Sequence, residues 1–293
     1  MKIVLQSILN TKPFVYDYRN FIGDLFREDR SADDLTTRYT AHGKRTVNAK
    51  IVAKERGILA GMNVLRDIFH YRDRSVGVSL LFPDGAEVAE KDVICELSGR
   101  TESILQSERI ALNVLQRMSG VATETAGLVG LVRGTACRLL NTRKTIPGMR
   151  YLEKYATTVG GAMNHRLNLA DGILIKENHI MAAGSISNAV TQAWKRKPAN
   201  ILIEVEVRDL TELEEAAALP VDLVMLDNFA LETVRKAVEL NKGRKKLEVS
   251  GNVTAKNIRS IAETGVDYIS VGAITHSAHS LDFSLLLYDN IYD

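Results

Sequence analysis

Residues 201–227 read "ILIEVEVRDLTELEEAAALPVDLVMLD". Two apolar runs of strand length, 201–207 and 221–227, flank a segment of helical texture. The same rhythm fills the chain from residue 136 onward. Further strand-length runs are "CRLLN" (137–141), "GILIK" (172–176), "KLEVSG" (246–251) and "DYISVGA" (267–273). Helical patterns stand between them. One puts Met149, Leu152, Ala156 and Val159 on a face, with Pro147 near its first turn and Gly160–Gly161 at its stop. Another carries Leu231, Val234 and Val238, and a third carries Ile258, Ile261 and Ala262 after Thr254, which reads as an N-cap. Alternating strand and helix means parallel βα units, an α/β fold. In a closed parallel barrel the C-terminal ends of all strands open on one face, where active sites sit. An open parallel sheet is the alternative and would set the same ends in a row.

Those ends carry charge and glycine: Arg143 and Lys144, Lys176, Glu206, Asp227, Ser250 with Gly251, and Gly272. Around the first of them, "TRKTIPGMRYLEKYATTVGGAMNHR" (142–166) gathers Arg143, Lys144, Arg150, Lys154, His165 and Arg166 against the single acid Glu153. The whole chain is nearly neutral, with 38 basic and 36 acidic residues in 293. A nucleic-acid binder carries a broad basic bias, absent here, so this local concentration is aimed at a small anionic ligand. Arginine forks suit carboxylates. Glycine loops at strand ends, "SGN" (250–252) and "VGA" (271–273), let backbone N–H groups approach a phosphate. Two acids facing phosphates point to Mg²⁺.

Other features have plainer readings. Arg150 and Lys154 are four apart and, with Glu153, read as solvated helix surface. Glu204 and Glu206 share one strand face; at least one faces the mouth, and the later one lies nearer the strand's end. Lys176 directly follows "ILI", a costly place for an unpaired charge, and reads as functional. His179 reads as a loop hydrogen-bonder; His276 and His279 show no ligand pattern. Cys95 and Cys137 are too few for a disulfide framework and read as buried small hydrophobes. No stretch resembles a signal peptide or a membrane span, which makes the cytoplasm the expected compartment. Upstream, 46–98 reads as a small, mostly β unit with a helix near 63–70 and a "PDG" turn (83–85). Residues 102–132 read as a helix with Ile104, Ala111, Leu115, Met118 and Ala122 on one face, interrupted in character by Gly120.

Several segments resemble quinolinate phosphoribosyltransferase, also called carboxylating nicotinate-nucleotide pyrophosphorylase, of NAD biosynthesis. They are "TVNAKIVAKERGILAG", "SERIALNVLQRMSG", "NTRKTIPGMRYLEKYA", "GGAMNHRLNLADGILIKENHI", "IEVEV", "VMLDNF", "EVSGNV" and "ISVGAITHSAHSLD". The resemblance implies an N-terminal α/β sandwich domain (1–115, joined by the C-terminal segment 276–293) and an open, TIM-like α/β barrel (116–275) of about six to seven strands. It implies a cytoplasmic homodimer with active sites shared across the interface, and no nucleic-acid or membrane partner. The implied activity is a pentosyl transfer from phosphoribosyl pyrophosphate to quinolinate with Mg²⁺, releasing pyrophosphate and CO2. Carried over by matching blocks, Arg109 (from the partner subunit), Thr142, Arg143, His165, Arg166 and Lys176 would bind quinolinate. Lys144, Glu206, Asp227, Ser250, Gly251, Asn252, Gly272 and Ala273 would bind phosphoribosyl pyrophosphate. Lys144, Lys176, Glu206 and Asp227 would be catalytic, and Glu206 and Asp227 would hold Mg²⁺. Ala162 stands where the family usually has a third glycine, and Asn168 where glycine is common. Asn168 reads as a residue that tolerates a positive-φ turn. Two other functions share these features: a barrel aldolase using Lys176 as a Schiff base, and a non-enzymatic phosphometabolite sensor.

Overall fold

The computed structural model describes residues 1–41 and 45–288. The last residues of the 276–293 segment, 289–293, lie outside the described residues, as do 42–44. Two compact units form: Met1–Ile3 with Val15–Glu124 and Ala278–Asp293, and Val4–Phe14 with Thr125–Ser277. The division falls after Glu124, inside the helix Thr101–Leu131, rather than at 115/116. A continuous helix has no turn residue to mark a boundary. Residues 4–14 go with the second unit because the Ile8 N–H donates to Asn164 C=O (2.9 Å) and the Leu202 N–H to Leu9 C=O (3.0 Å).

The first unit is built on an antiparallel sheet whose strands lie in the order Phe283–Tyr288, Thr46–Ala53, Val93–Arg100, Gly77–Leu80. Alternation in "TVNAKIVA" buries Ala49, Ile51 and Ala53 on one face. The helix Met62–Arg72 buries Met62, Leu65, Ile68 and Phe69. The "PDG" turn does more than reverse the chain: Asp84 Oδ1 accepts the N–H groups of Gly61 (2.9 Å) and Met62 (2.8 Å), capping that helix. The helix Thr101–Leu131 buries Ile104, Ala111, Leu115, Met118 and Ala122 and runs unbroken through Gly120. Glycine is required there by close approach, since a Cβ would collide with the carbonyl oxygen of His279.

The second unit holds six parallel strands: β1 (Arg138–Leu140), β2 (Ile173–Ile175), β3 (Ile203–Val207), β4 (Leu223–Asp227), β5 (Lys246–Ser250) and β6 (Tyr268–Ser270). Their order is β1-β6-β5-β4-β3-β2. Each of β2 to β6 neighbours the next in sequence, and β1 returns beside β6. A doubly wound sheet would reverse its order at a switch point, and none occurs. The winding is that of a barrel open between β1 and β2 among the described residues. A single bridge, Leu140↔Met163, lies on the β1 edge, and Ser7↔Asn164 and Asn10↔Ile201 tie the 4–14 segment to the same unit. Valines, leucines and isoleucines of the strands and of helices such as Leu231–Asn241 fill the core. The third helix starts at Ile258 rather than on Thr254; the Thr254 N–H instead donates to Asn257 Oδ1 (2.8 Å) in the turn that precedes it.

Gly120→Ala is expected to lower the unfolding free energy by about 1–3 kcal/mol through overpacking against His279, although alanine is the better helix former by about 1 kcal/mol. Denaturant unfolding with an unchanged or raised midpoint would contradict the close approach.

Candidate active site

The C-terminal strand ends of the second unit surround a cavity of about 610 Å³, a normal size for a small-molecule site. Its cations come from three segments: Arg143 and Lys144 after β1, Arg166 in the segment before β2, and Lys176 at the end of β2. Thr142, His165, Asp227, Ser250, Gly251 and Asn252 line it as well. Sequence-distant residues therefore meet because parallel strands end on the same side.

Three of these cations are held by local contacts, and Arg143 is not. The Lys176 ammonium is ion-paired with Glu206 Oε2. The Lys144 carbonyl accepts a hydrogen bond from Thr275 Oγ (2.7 Å), and its backbone N–H donates to Thr142 Oγ (3.0 Å). Arg166 is buried and Arg143 Nε is buried with no bonded acceptor. Burial, and then the nearby Arg143, push the Arg166 guanidinium down from its ordinary value, while Glu204 opposes the shift. Such a set favours an anionic ligand.

The phosphate-type loop is more specific than its glycine suggests. Gly251 has φ +90°, and a Cβ there would collide with the Asn228 side chain. Asn228 and Asn252 also take positive φ, 57° and 52°. Their amides form a chain: Asn252 Nδ2 donates to Asn228 Oδ1 (3.0 Å), and Asn228 Nδ2 donates to Asp227 Oδ2 (2.8 Å). Asn228 was not among the expected residues. Its signal was an asparagine directly after a strand-end aspartate. Gly272 lies beside the Lys144 side chain, 2.9 Å from an added Cβ to Cδ, so it leaves room for that lysine. Gly272 and Ala273 do not line the cavity directly, and Glu206 reaches it through Lys176. Arg109 is exposed on the Thr101–Leu131 helix of the other unit.

Behind the cavity the solvated-surface reading of the 150–159 helix fails. Glu153 and Lys154 are both fully buried. Glu153 Oε2 accepts the Ile146 N–H (3.1 Å) and so ties down the "KTIPG" loop. The Lys154 amine donates to Asn141 Oδ1 and to His165 C=O (3.3 Å), and Asn141 Nδ2 donates to Thr157 Oγ (2.7 Å) and Asn164 Oδ1 (2.6 Å). Arg150 is half-buried with its Nε donating to Thr145 Oγ (3.1 Å). Four-residue spacing places these side chains on one side of the helix but does not say whether that side meets water. Burial, followed by Arg150, lowers the Lys154 amine to about 7. Asn168 avoids positive φ: its Oδ1 accepts the Ala170 N–H (2.9 Å), closing the turn with its side chain. His179 is in the first turn of the helix Glu177–Ala183, not in a loop, and its Nδ1 accepts the Lys176 N–H (3.0 Å).

Below the cations lies a fully buried polar cluster, His165, Glu204 and Glu248. His165 Nδ1 accepts the Arg166 N–H (2.8 Å), so the ring's hydrogen is on Nε2, which donates to Glu204 Oε2 (2.8 Å). Burial holds His165 below its ordinary value, and burial raises Glu204 to about 7 and Glu248 to about 8. Of the two strand-face acids, Glu204 is the deep one and Glu206 the one at the rim. Glu248 was missed, although it stands two residues before Ser250 and so shares its strand face.

Residues 34–119 match the N-terminal domain, and residues 121–286 the C-terminal domain, of quinolinate phosphoribosyl transferase. The chain belongs to the quinolinate phosphoribosyl transferase family. Within the family it is 40% identical over 267 residues to the "probable nicotinate-nucleotide pyrophosphorylase [carboxylating]" of Bacillus subtilis (strain 168), covering 91% of this chain and 92% of that protein. The structure of NadC from Streptococcus pyogenes superposes with a TM-score of 0.88 at 39% identity, covering 93% of this chain and 97% of that one. The nicotinate-nucleotide pyrophosphorylase of Francisella tularensis gives 0.86 at 41% identity, covering 93% and 98%.

The Lys154 amine generates a pH prediction. Between about pH 7 and its ordinary value of 10.5, the unfolded chain holds a proton that the folded chain has released. Unfolding therefore takes up a proton there, and the contribution to stability rises with pH, by at most about 1.4 kcal/mol per pH unit. Denaturant unfolding of wild type and Lys154→Met across this range should show the rise lost in the variant, along with a loss of about 1–3 kcal/mol from the abandoned acceptors. Equal pH slopes would refute the buried, near-neutral lysine.

Proposed function

We infer that the protein transfers phosphoribose from phosphoribosyl pyrophosphate to quinolinate with decarboxylation, giving nicotinate mononucleotide, pyrophosphate and CO2. The observation that carries this reading is the cavity itself. Arg143, Lys144, Arg166 and Lys176 converge there on the "SGN" loop, in a chain whose relatives bear that activity in their names. Quinolinate brings two carboxylates and the donor brings several phosphate charges. A site for both must be cationic, and its contribution is to position them and stabilise charge.

Arg143, Arg166 and Thr142 are the proposed carboxylate contacts, with Lys144 and Lys176 neutralising quinolinate and phosphates. His165 takes a different part from a cationic contact: both ring nitrogens are already engaged, and it holds the Arg166 backbone. Ser250, Gly251 and Asn252 are proposed to receive the 5′-phosphate. Glu206 and Asp227, at the ends of β3 and β4, would supply the one or two carboxylates that a divalent cation takes alongside substrate phosphates. When bound, Mg²⁺ would neutralise charge on the leaving pyrophosphate. Lys176 is held in an ion pair with Glu206, which occupies the amine that Schiff-base chemistry would use. No described helix is long and apolar enough to cross a membrane. Cytoplasmic residence and a homodimer remain part of this proposal.

Incubation with quinolinate, phosphoribosyl pyrophosphate and Mg²⁺ should form nicotinate mononucleotide. Excess chelator should abolish it, and nicotinate should be a poor acceptor because a lost carboxylate leaves a buried cation unpaired, at a cost of about 2–5 kcal/mol. Absent product, full activity in chelator, or equal use of nicotinate would each count against the reading.

Exposed Arg109 tests the shared site. Arg109→Ala and Lys176→Ala should each be inactive. In mixed dimers, verified by mass spectrometry, a trans-acting Arg109 gathers both defects in one site and leaves the other intact, restoring up to half the activity. Verified hybrids without recovery would place Arg109 in its own subunit's site.

A further inference from the structure

Glu248 lies on the floor of the cavity with the apolar side chains of Leu174 and Met225, and the function proposed above gives it no task. It has no exposure, and neither of its carboxyl oxygens makes a well-formed hydrogen bond; the Ser270 hydroxyl beside it favours the charged form, but burial and Glu204 outweigh it. Its neighbour is a second buried carboxyl: ligand-type atoms of His165, Glu204 and Glu248 all lie within 4.8 Å of one another. The single hydrogen of the His165 ring points at Glu204 Oε2 (2.8 Å) and leaves Glu248 Oε2 at 3.5 Å. Glu204 is thus the acceptor of the cluster. Like charges this close in a dry interior cannot both ionise, so the proton belongs to Glu248, the carboxyl farther from the His165 hydrogen. The charged groups facing the cluster are Lys176, Arg166 and Glu206, which act on Glu204, His165, which acts on Glu248, and Lys154, which acts on His165. Burial, and then Glu204, raise Glu248 to about 8. A metal ion is a poorer occupant, because the His165 Nε2 that would ligate it already carries a hydrogen.

We propose that Glu248 is the catalytic acid that protonates the pyridine ring when CO2 departs. This step rests on the function proposed above. Transfer joins the ring nitrogen of quinolinate to ribose and expels pyrophosphate, leaving a pyridinium. The bond between C2 and its carboxylate then breaks, the electron pair stays on C2 beside the positive nitrogen, and CO2 leaves. The Glu248 O–H proton passes to C2, giving nicotinate mononucleotide and a Glu248 carboxylate, which takes a proton from water before the next turnover. Atoms and charge balance with one proton drawn from solvent. A protonated carboxyl suits this position twice over. It does not repel a dicarboxylate entering the site, and it supplies an acid where the neighbouring Lys176 is committed to Glu206.

The test is a single turnover with enzyme in excess over quinolinate, quenched and assayed for pyrophosphate, the dicarboxylate mononucleotide and nicotinate mononucleotide. Glu248→Gln keeps the shape but cannot give up a proton. It should release pyrophosphate within about 3-fold of wild type while nicotinate mononucleotide forms about 10²-fold or more slowly, so that the dicarboxylate nucleotide accumulates. Glu248→Asp should recover part of the second step. In wild type, the second step alone should slow as pH rises past about 8; this profile decides the matter if Glu248→Gln does not fold. Pyrophosphate and nicotinate mononucleotide falling in step, an unchanged product ratio, or a second step that is flat with pH would each overturn the proposal. A wild type that makes no nicotinate mononucleotide removes the proposed function and this step with it. An active wild type with an unchanged Glu248→Gln partition removes this step alone.

Discussion

Four cations around one cavity repel one another, and the surrounding structure is arranged to hold them there before any ligand arrives. Lys176 is answered at the rim by Glu206. Arg166 is answered from below by Glu204, although burial and Arg143 work against its charge. Lys144 is fixed through its backbone by Thr275 and Thr142. Behind this set Lys154 is buried with its amine lowered to about 7, so burial weakens its charge while it donates two hydrogen bonds. Preorganised charge of this kind is what a site for polyanionic reactants needs, because the cost of assembling it is met in folding rather than at the moment of reaction.

Depth along the strands separates the acids by chemistry. Glu204 and Glu206 are two residues apart on the same face of β3, yet one is fully buried against His165 and the other pairs with Lys176 nearer the strand's end. On β5 the same step separates buried Glu248 from Ser250, which is only partly buried. Burial penalises the charged form, so the deep layer is where a carboxyl keeps its proton, while at the rim Glu206 meets the Lys176 cation. His165 links the layers: its ring binds the deep acids, and its Nδ1 holds the backbone of the arginine above.

Much of this was legible in the residue order. Apolar strand-length runs and helical periodicity are local properties of the chain, so the six βα repeats, the strand ends and a helix over 102–132, observed as Thr101–Leu131, could be read directly. Parallel winding then places all strand ends on one face, which is why Arg143, Lys144, Lys176, Asp227 and Ser250 could be grouped from sequence although they span more than a hundred residues. Gly251 could be singled out for the same reason, as a glycine at a strand end.

Tertiary structure alone decided which polar residues are dry. Nothing in the spacing of Arg150, Glu153 and Lys154 distinguishes a solvated helix face from one pressed against Asn141 and the "KTIPG" loop, because exposure depends on what a distant segment places there. The same holds for Gly120, whose need for glycine comes from His279, far along the chain. The meeting of Glu204 with Glu248 depends on two strands that are not neighbours in the sheet. Local sequence sets backbone periodicity and charge, both short-range properties. Protonation state and hydrogen-bond partnership are set by burial and by contacts between remote segments, and those exist only once the chain has folded.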